Sequence, residues 1–200
     1  MVNRSKYDLL QKIVWYFYIM QNIRKAEILE EQNRDLSNIK VPLTRIKVRA
    51  LVKCGDEYLL IRRTRPGKNK HYTVFPGGRV KMSDRIDAKD KFDRIHLKEI
   101  LERALLRELQ EELACQLVKI CEILSIAKVK IHDQEALYYV EVGSYNWSAK
   151  TGKEFTNPNK GTYELVRLKD INMNEENLGK KNLRLKPKPW LKLIIQLFEK

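Results

Sequence analysis

Arg107-Glu108-Leu109-Gln110-Glu111-Glu112-Leu113 is the stretch on which the reading of this chain turns. It closes a segment, Leu97 to Leu113, in which Leu97, Ile100, Leu101, Ala104, Leu105 and Leu109 recur at helical spacing, with nothing that breaks a helix. The spacing predicts one long amphipathic helix. Glu108, Glu111 and Glu112 stand at i, i+3 and i+4, so their carboxylates emerge on one face, about 5–6 Å apart at Cβ. Like charges so placed repel, each pair by roughly 0.2–0.5 kcal/mol, unless a cation sits among them. Mg²⁺ suits that place, and Mn²⁺ can replace it, because both take carboxylate oxygens and keep waters in their other octahedral positions. Acidic runs also occur on plain solvated helix faces, so three glutamates alone do not define a site.

The residues upstream supply a context. Tyr72-Thr73-Val74-Phe75 reads as a strand that breaks at Pro76-Gly77-Gly78, where glycines let the backbone approach a ligand or metal closely. Before it lies a basic segment with Arg62, Arg63, Arg65, Lys68 and Lys70, charges of the sign that phosphate needs. Arg45 to Cys54 and Glu57 to Thr64 read as two strands joined by Gly55-Asp56, a hairpin turn. In the first strand Ile46, Val48, Ala50 and Val52 alternate with Lys47, Arg49 and Lys53, one face buried and the other basic. The stretch from Lys81 to Arg94 mixes charges of both signs and reads as a surface loop. Beyond the helix, strands are expected at about Leu117 to Ile131, Ala136 to Val142 and Thr162 to Leu168. A polar stretch, Asn172 to Pro189, then leads to a last helix, Trp190 to Phe198.

Strands mixed with one long central helix and a terminal helix predict an α+β or α/β sandwich rather than a bundle. Tyr7 to about Gln32 carries Leu10, Ile13, Val14, Phe17, Ile23 and Leu29 at helical intervals. Residues 1–40 therefore read as a helical appendage to a domain spanning residues 44–200. That helix is expected to pack on the main domain or on a second copy of the chain, as in a homodimer. Docking on an anionic membrane through Arg24, Lys25 and Trp15 to Tyr18 is the lesser alternative, and a spanning segment is not expected.

The chain has 200 residues, 40 Lys+Arg against 26 Asp+Glu, and a formal net charge of +14. That balance points to an anionic partner without choosing its kind. Only 8 glycines and 3 cysteines exclude collagen-like, low-complexity and disulfide-scaffold classes, and a reducing, cytoplasmic setting is expected. Cys115 and Cys121 read as core residues. His71, His96 and His132 stand at no spacing that marks a catalytic or metal site.

With these residues the sequence resembles the Nudix hydrolase family. Its box is Gly, five residues, Glu, seven residues, then Arg-Glu-apolar-any-Glu-Glu-any-Gly-apolar. Here Glu99 is followed, after seven residues, by Arg107-Glu108-Leu109-Gln110-Glu111-Glu112-Leu113-Ala114-Cys115, with Pro76-Gly77-Gly78 upstream. Read so, Gly78 and Glu99 are separated by 20 residues instead of five, an insertion of fifteen between the glycines and the helix. Ala114 replaces the family's glycine, and since a left-handed cap would cost Ala roughly 1–2 kcal/mol, the helix is expected to end differently.

The resemblance implies an α/β/α sandwich with a mixed sheet, and a Mg²⁺-dependent enzyme that attacks a diphosphate linkage with water. It implies that Glu108, Glu111 and Glu112 ligate the metal, with the backbone carbonyl of Gly78 as a further ligand, and that Arg107 orients the glutamates. Glu99 has a supporting place. Which glutamate is the base stays open, with Glu154 and Glu164 as further candidates. Gly77, Gly78 and Arg63 are the expected substrate contacts, Arg63 because Leu59-Leu60-Ile61-Arg62-Arg63 resembles the same strand of mutator-type nucleoside triphosphate pyrophosphohydrolases. A modified or ordinary nucleoside triphosphate is the leading substrate class, and the tracts by which the family marks other preferences are not evident: Ile131, sixteen residues after Cys115, is neither the proline of many ADP-ribose hydrolases nor the tyrosine linked to dinucleoside polyphosphates. Residues 41–90 hold 13 Lys+Arg against 5 Asp+Glu, which keeps RNA 5′-end pyrophosphohydrolysis or decapping as an alternative. A third is a non-catalytic nucleotide-sensing module.

Overall fold

The alternation in the first strand is realised as expected: along β1 (Ile46–Cys54), Ile46, Val48, Ala50 and Val52 are fully buried. Gly55, at φ +61°, turns the chain into β2 (Glu57–Thr64). The computed structural model describes residues 36, 39–67, 70–85, 94–179 and 183–198, all within one unit, Leu36–Lys200. The helix expected from Tyr7 to Gln32 lies outside the described residues.

The chain continues through β3 (His71–Val74), α1 (Arg94–Leu113), β4 (Lys119–Lys130) and β5 (Asp133–Glu141). Then come a short α2 (Lys153–Thr156), β6 (Thr162–Lys169), a short α3 (Glu175–Leu178), β7 (Leu185–Lys186) and α4 (Lys188–Phe198). The seven strands form one sheet in the order β4-β5-β1-β2-β3-β7, with β6 also paired to β2. Pairings β1–β5 and β3–β7 are parallel and the others antiparallel, so the sheet is mixed.

Apolar faces decide the layers. Leu97, Leu101, Leu105 and Leu109 of α1 join Val48, Ala50, Leu59, Ala136 and Tyr138 in a core on one side of the sheet. Trp190 and Ile194 of α4 join Leu51, Leu60, Phe75 and Leu137 in a core on the other. The result is an α/β/α sandwich. Each fully buried leucine stabilises by about 1.5–3 kcal/mol, well above the few tenths that a repelling glutamate pair costs on the same helix.

Several expectations are corrected. The polar stretch from Asn172 to Pro189 contains α3 and β7, and its Met173, Leu178, Leu183 and Leu185 are buried. Elements of two to four residues are too short to show a period. Cys115 is buried as expected, whereas Cys121 is exposed, because it lies on β4 at the end of the sheet order. Ala114 does adopt a left-handed conformation, at φ 47°. It accepts that strain of roughly 1–2 kcal/mol while its N–H reaches the Gln110 carbonyl at 3.1 Å. The carbonyls of Leu113 and Glu111 take N–H groups from Asn146, Thr151 and Gly152, so the end of α1 is capped by the segment that follows β5.

A split in the sheet makes the cleft. β1 pairs with β2 only near the hairpin, from Val52 to Cys54. Upstream it holds the segment after β3 instead, with Val48 N–H on the Gly78 carbonyl (2.9 Å), Ala50 N–H on Pro76 (2.9 Å) and Val80 N–H on Ile46 (3.0 Å). No helix among the described residues is long and apolar enough to cross a membrane.

Candidate active site

The split places the glycine turn against the acidic end of α1. Gly77 has φ +127°, and a Cβ there would overlap the Val48 carbonyl oxygen, so glycine is required. A Cβ on Gly78 would lie 2.5 Å from the Glu108 carboxylate. The absent side chain is what lets Glu108 close on the backbone. Arg49 donates to the carbonyls of Phe75, at 3.1 Å, and Gly77, and holds the turn from the far side. Gly77 N–H donates to Glu112 Oε2 at 2.5 Å.

Arg107 organises the cluster. Its Nε and Nη2 donate to the two oxygens of Asp84 at 2.8 and 2.9 Å, and Nη2 also reaches the Arg79 carbonyl at 3.0 Å. Its Nη1 donates to Glu108 at 2.6 Å and to Glu111 at 3.4 Å. Lys81 Nζ lies 3.3 Å from both Glu111 oxygens. Asp84 is 5% exposed and also accepts the Lys81 backbone N–H at 2.7 Å.

This corrects the first part of the surface loop expected from Lys81 to Arg94: Lys81 to Arg85 is an ordered turn with a buried carboxylate, and residues 86–93 lie outside the described residues. It also moves the insertion. Gly78 and Asp84 keep the five-residue spacing of the family box, and the fifteen extra residues fall between Asp84 and Arg107. Glu99, which fits the seven-residue spacing, is exposed on α1, while Asp84 grips the arginine. Glu164 is also exposed, 3.3 Å from Arg62, and the side chain of Glu154 lies outside the described residues.

Charge and burial oppose one another in the cluster. Burial pushes the Glu108 carboxyl above its ordinary range, and Arg107 only partly counters it. For Asp84 burial also pulls upward, but the bonds from Arg107 and the Lys81 N–H outweigh it and hold the carboxyl low. Arg107 is held protonated far beyond neutrality, chiefly by Asp84. A depressed carboxylate stabilises the fold above its unfolded pKa and loses that contribution as pH falls through the folded value. Asp84→Asn should therefore lower the unfolding free energy at pH 7, and the difference from the parent should shrink as pH falls below the ordinary aspartate range and through the lowered folded value. Glu108 works the other way, favouring the fold below the ordinary glutamate value and losing that as pH rises through its raised one. Chemical unfolding of parent and Asp84→Asn across that range checks the sign.

The cleft in front of the cluster has a volume of about 640 Å³. Glu108, Glu111, Glu112, Gly77 and Gly78 line it, together with Arg63 and nine further lysines and arginines. Arg63, the expected phosphate contact, lies in the cleft lining, where it stacks 5.2 Å over the Tyr163 ring and donates to the Lys160 carbonyl at 3.3 Å. Arg65 and Lys186 sit over Tyr72 at 5.4 and 5.3 Å. Asp84, Lys81, Arg49 and Glu135 had been missed. For Asp84 the five-residue spacing from Gly78 was a usable signal.

Among the described residues no three acidic, histidine or cysteine side chains converge as a closed ligand set. The three glutamates turn to three different partners, namely Arg107, Lys81 and Gly77 N–H. In kind they are hard oxygen donors, and Glu108 and Glu112 are 5% and 8% exposed, poorly hydrated carboxylates to which a divalent cation is matched. One lone pair of the Gly78 carbonyl is taken by Val48 N–H, which leaves the second.

A mixed α/β/α sandwich that sets a glycine turn against an Arg-Glu-x-x-Glu-Glu helix defines a pyrophosphohydrolase of nucleotide derivatives that works with a divalent metal ion. The chain belongs to the Nudix family, since the NUDIX domain model matches residues 43–188. No curated protein matches the sequence. Similar solved structures include a NUDIX hydrolase from Nitrosomonas europaea, 14% identical, with TM-score 0.46, over 76% of this chain and 86% of that one. Another is an ADP-ribose pyrophosphatase from Streptococcus suis, 14% identical, with TM-score 0.45, over 78% and 93%. A third is an ADP compounds hydrolase, 15% identical, with TM-score 0.48, over 79% and 73%.

Proposed function

We propose that this chain is a Mg²⁺-dependent hydrolase of the diphosphate linkage in a nucleoside diphosphate derivative, with nucleoside triphosphates as its leading substrates. The observation that carries this reading is the cleft itself, lined by three glutamates and a glycine turn together with ten lysines and arginines. Glu108, Glu111 and Glu112 would hold the metal, with the free lone pair of the Gly78 carbonyl as a further donor. When bound, the ion neutralises charge on the diphosphate and makes a water more acidic. The chain's own residues do the rest. Arg107, anchored by Asp84, keeps Glu108 and Glu111 on the cleft side of α1. Gly77 N–H fixes Glu112. Arg63, Lys81 and their basic neighbours hold phosphate oxygens, and a carboxylate of the cluster takes the proton from the attacking water.

The test is purified protein with Mg²⁺ against nucleoside triphosphates, nucleotide sugars, ADP-ribose and 5′-triphosphorylated or capped RNA, reading released phosphate and pyrophosphate. Turnover of nucleoside triphosphates is expected, kept with Mn²⁺ and lost in excess EDTA. Full turnover in EDTA overturns the metal dependence. Preference for RNA, with KM rising steeply as salt is added, would move the assignment to RNA 5′ ends.

A further inference from the structure

Glu135 lies on β5, 2% exposed, yet it lines the cleft. Three cationic or N–H groups surround it. Lys47 Nζ donates to Oε1 at 2.9 Å, Trp190 Nε1 donates to Oε2 at 3.3 Å, and Arg49 Nε stands 3.9 Å from Oε2. The parallel register of β1 and β5 puts Lys47 directly opposite Glu135, and Trp190 reaches it from α4 on the other layer.

Lys47 and Arg49 are two residues apart on one strand, so they share a face and lie about 7 Å from each other. Without a carboxylate between them the two cations repel. Arg49 also has a second task, because it donates to the carbonyls of Phe75 and Gly77, and Gly77 N–H in turn donates to Glu112. A glycine turn has no side chain with which to lock its own peptide planes. Its orientation depends on donors supplied from outside: the Val48 and Ala50 N–H groups of β1 hold the Gly78 and Pro76 carbonyls, and the Arg49 side chain is the donor that β1 places on the carbonyls of Phe75 and Gly77.

We propose that Glu135 is a positioning residue: it holds Lys47 and Arg49 on the cleft face of β1 and, through Arg49, fixes the turn that presents Gly77 N–H to Glu112. The catalytic consequence rests on the reading of Glu112 given under Proposed function, whereas the structural consequence does not.

The experiment therefore has two readouts on ¹⁵N-labelled full-length protein. The first is hydrogen exchange of the Gly77 amide by NMR, referenced to the amide of Leu105 in the core of α1. The second is kcat and KM on whichever substrate the panel identifies. Glu135→Gln keeps the shape and an acceptor for Trp190 but removes the charge. It is expected to speed Gly77 exchange about tenfold relative to Leu105, and to lower kcat by roughly 10- to 100-fold with a smaller change in KM. Arg49→Lys, which keeps the charge and loses the planar fork, should reproduce both effects, and it decides the matter if Glu135→Gln does not fold. Glu141→Gln, on the same strand and outside the cleft lining, should change neither. Gly77 exchange unchanged in Glu135→Gln, or faster only in step with Leu105, overturns the proposal. A parent protein that hydrolyses nothing in the panel overturns the functional reading alone, and the Gly77 readout still stands.

Discussion

Glu112→Gln should cut kcat by about 10²-fold or more, because it removes a negative oxygen from the metal-holding cluster while leaving the shape of the helix face intact. The glutamine carbonyl can still accept the Gly77 N–H that Glu112 Oε2 takes at 2.5 Å, so the turn has no reason to move. Glu111→Gln should act in the same direction. Its pair with Lys81 is half in solvent, with side chains 29% and 51% exposed, so losing it costs less than about 1 kcal/mol. Melting temperatures without metal should therefore stay close to the parent's, and the stabilisation that added Mg²⁺ gives the parent should shrink in both variants. Glu102→Gln is the control. Glu102 is on the same helix with an exposed partner, Lys98, at 3.8 Å, and it lines no part of the cleft. If both ligand variants turn over like the parent, the metal-site assignment falls.

Asp84→Ala should affect stability as well as rate. It deletes a carboxylate whose side chain is 4% exposed and leaves the Arg107 guanidinium, 20% exposed, without two of its bonds. Breaking such a buried pair costs roughly 3–5 kcal/mol, because the remaining charge stays desolvated. Arg107 would keep Glu108, Glu111 and the Arg79 carbonyl but lose the carboxylate that fixes its plane, so the glutamates it gathers would be held less firmly and kcat should fall by about 10- to 100-fold. Urea unfolding and steady-state kinetics measure the two effects. A cycle with Arg107→Met distinguishes this from general damage: once Asp84 is gone, removing Arg107 should cost far less than it does in the parent. Strict additivity would mean that the two residues do not act as a unit.

Much of this was legible in the linear chain, and for a common reason. The period of 3.6 in Leu97 to Leu113, the period of two in Ile46 to Val52 and the Gly55-Asp56 turn are local signals, so helix, strand and hairpin follow from residues a few positions apart. The same local spacing brought Glu108, Glu111 and Glu112 to one face. The sandwich followed from counting which elements carry an apolar face to bury.

Tertiary structure decided what local spacing could not. Asp84 and Glu99 both stand at a family spacing, one from Gly78 and the other from Arg107, and linear counting favoured Glu99. Folding decides for Asp84, because the turn after β3 is pinned to β1 and brings that carboxylate to the guanidinium, while Glu99 sits on the solvent side of α1. Ala114 is left-handed because the segment from Asn146 to Gly152 docks on the end of the helix, an influence more than thirty residues away. Glu135 gave no signal at all, since its partners Lys47, Arg49 and Trp190 are 88, 86 and 55 positions away and meet only when β5 lies beside β1 under α4. What the sequence by itself determined was each element and the acidic face of one helix. Only the packed sheet, by bringing distant charges into a low-dielectric cleft where each must find a partner, decided which residues hold that face in place.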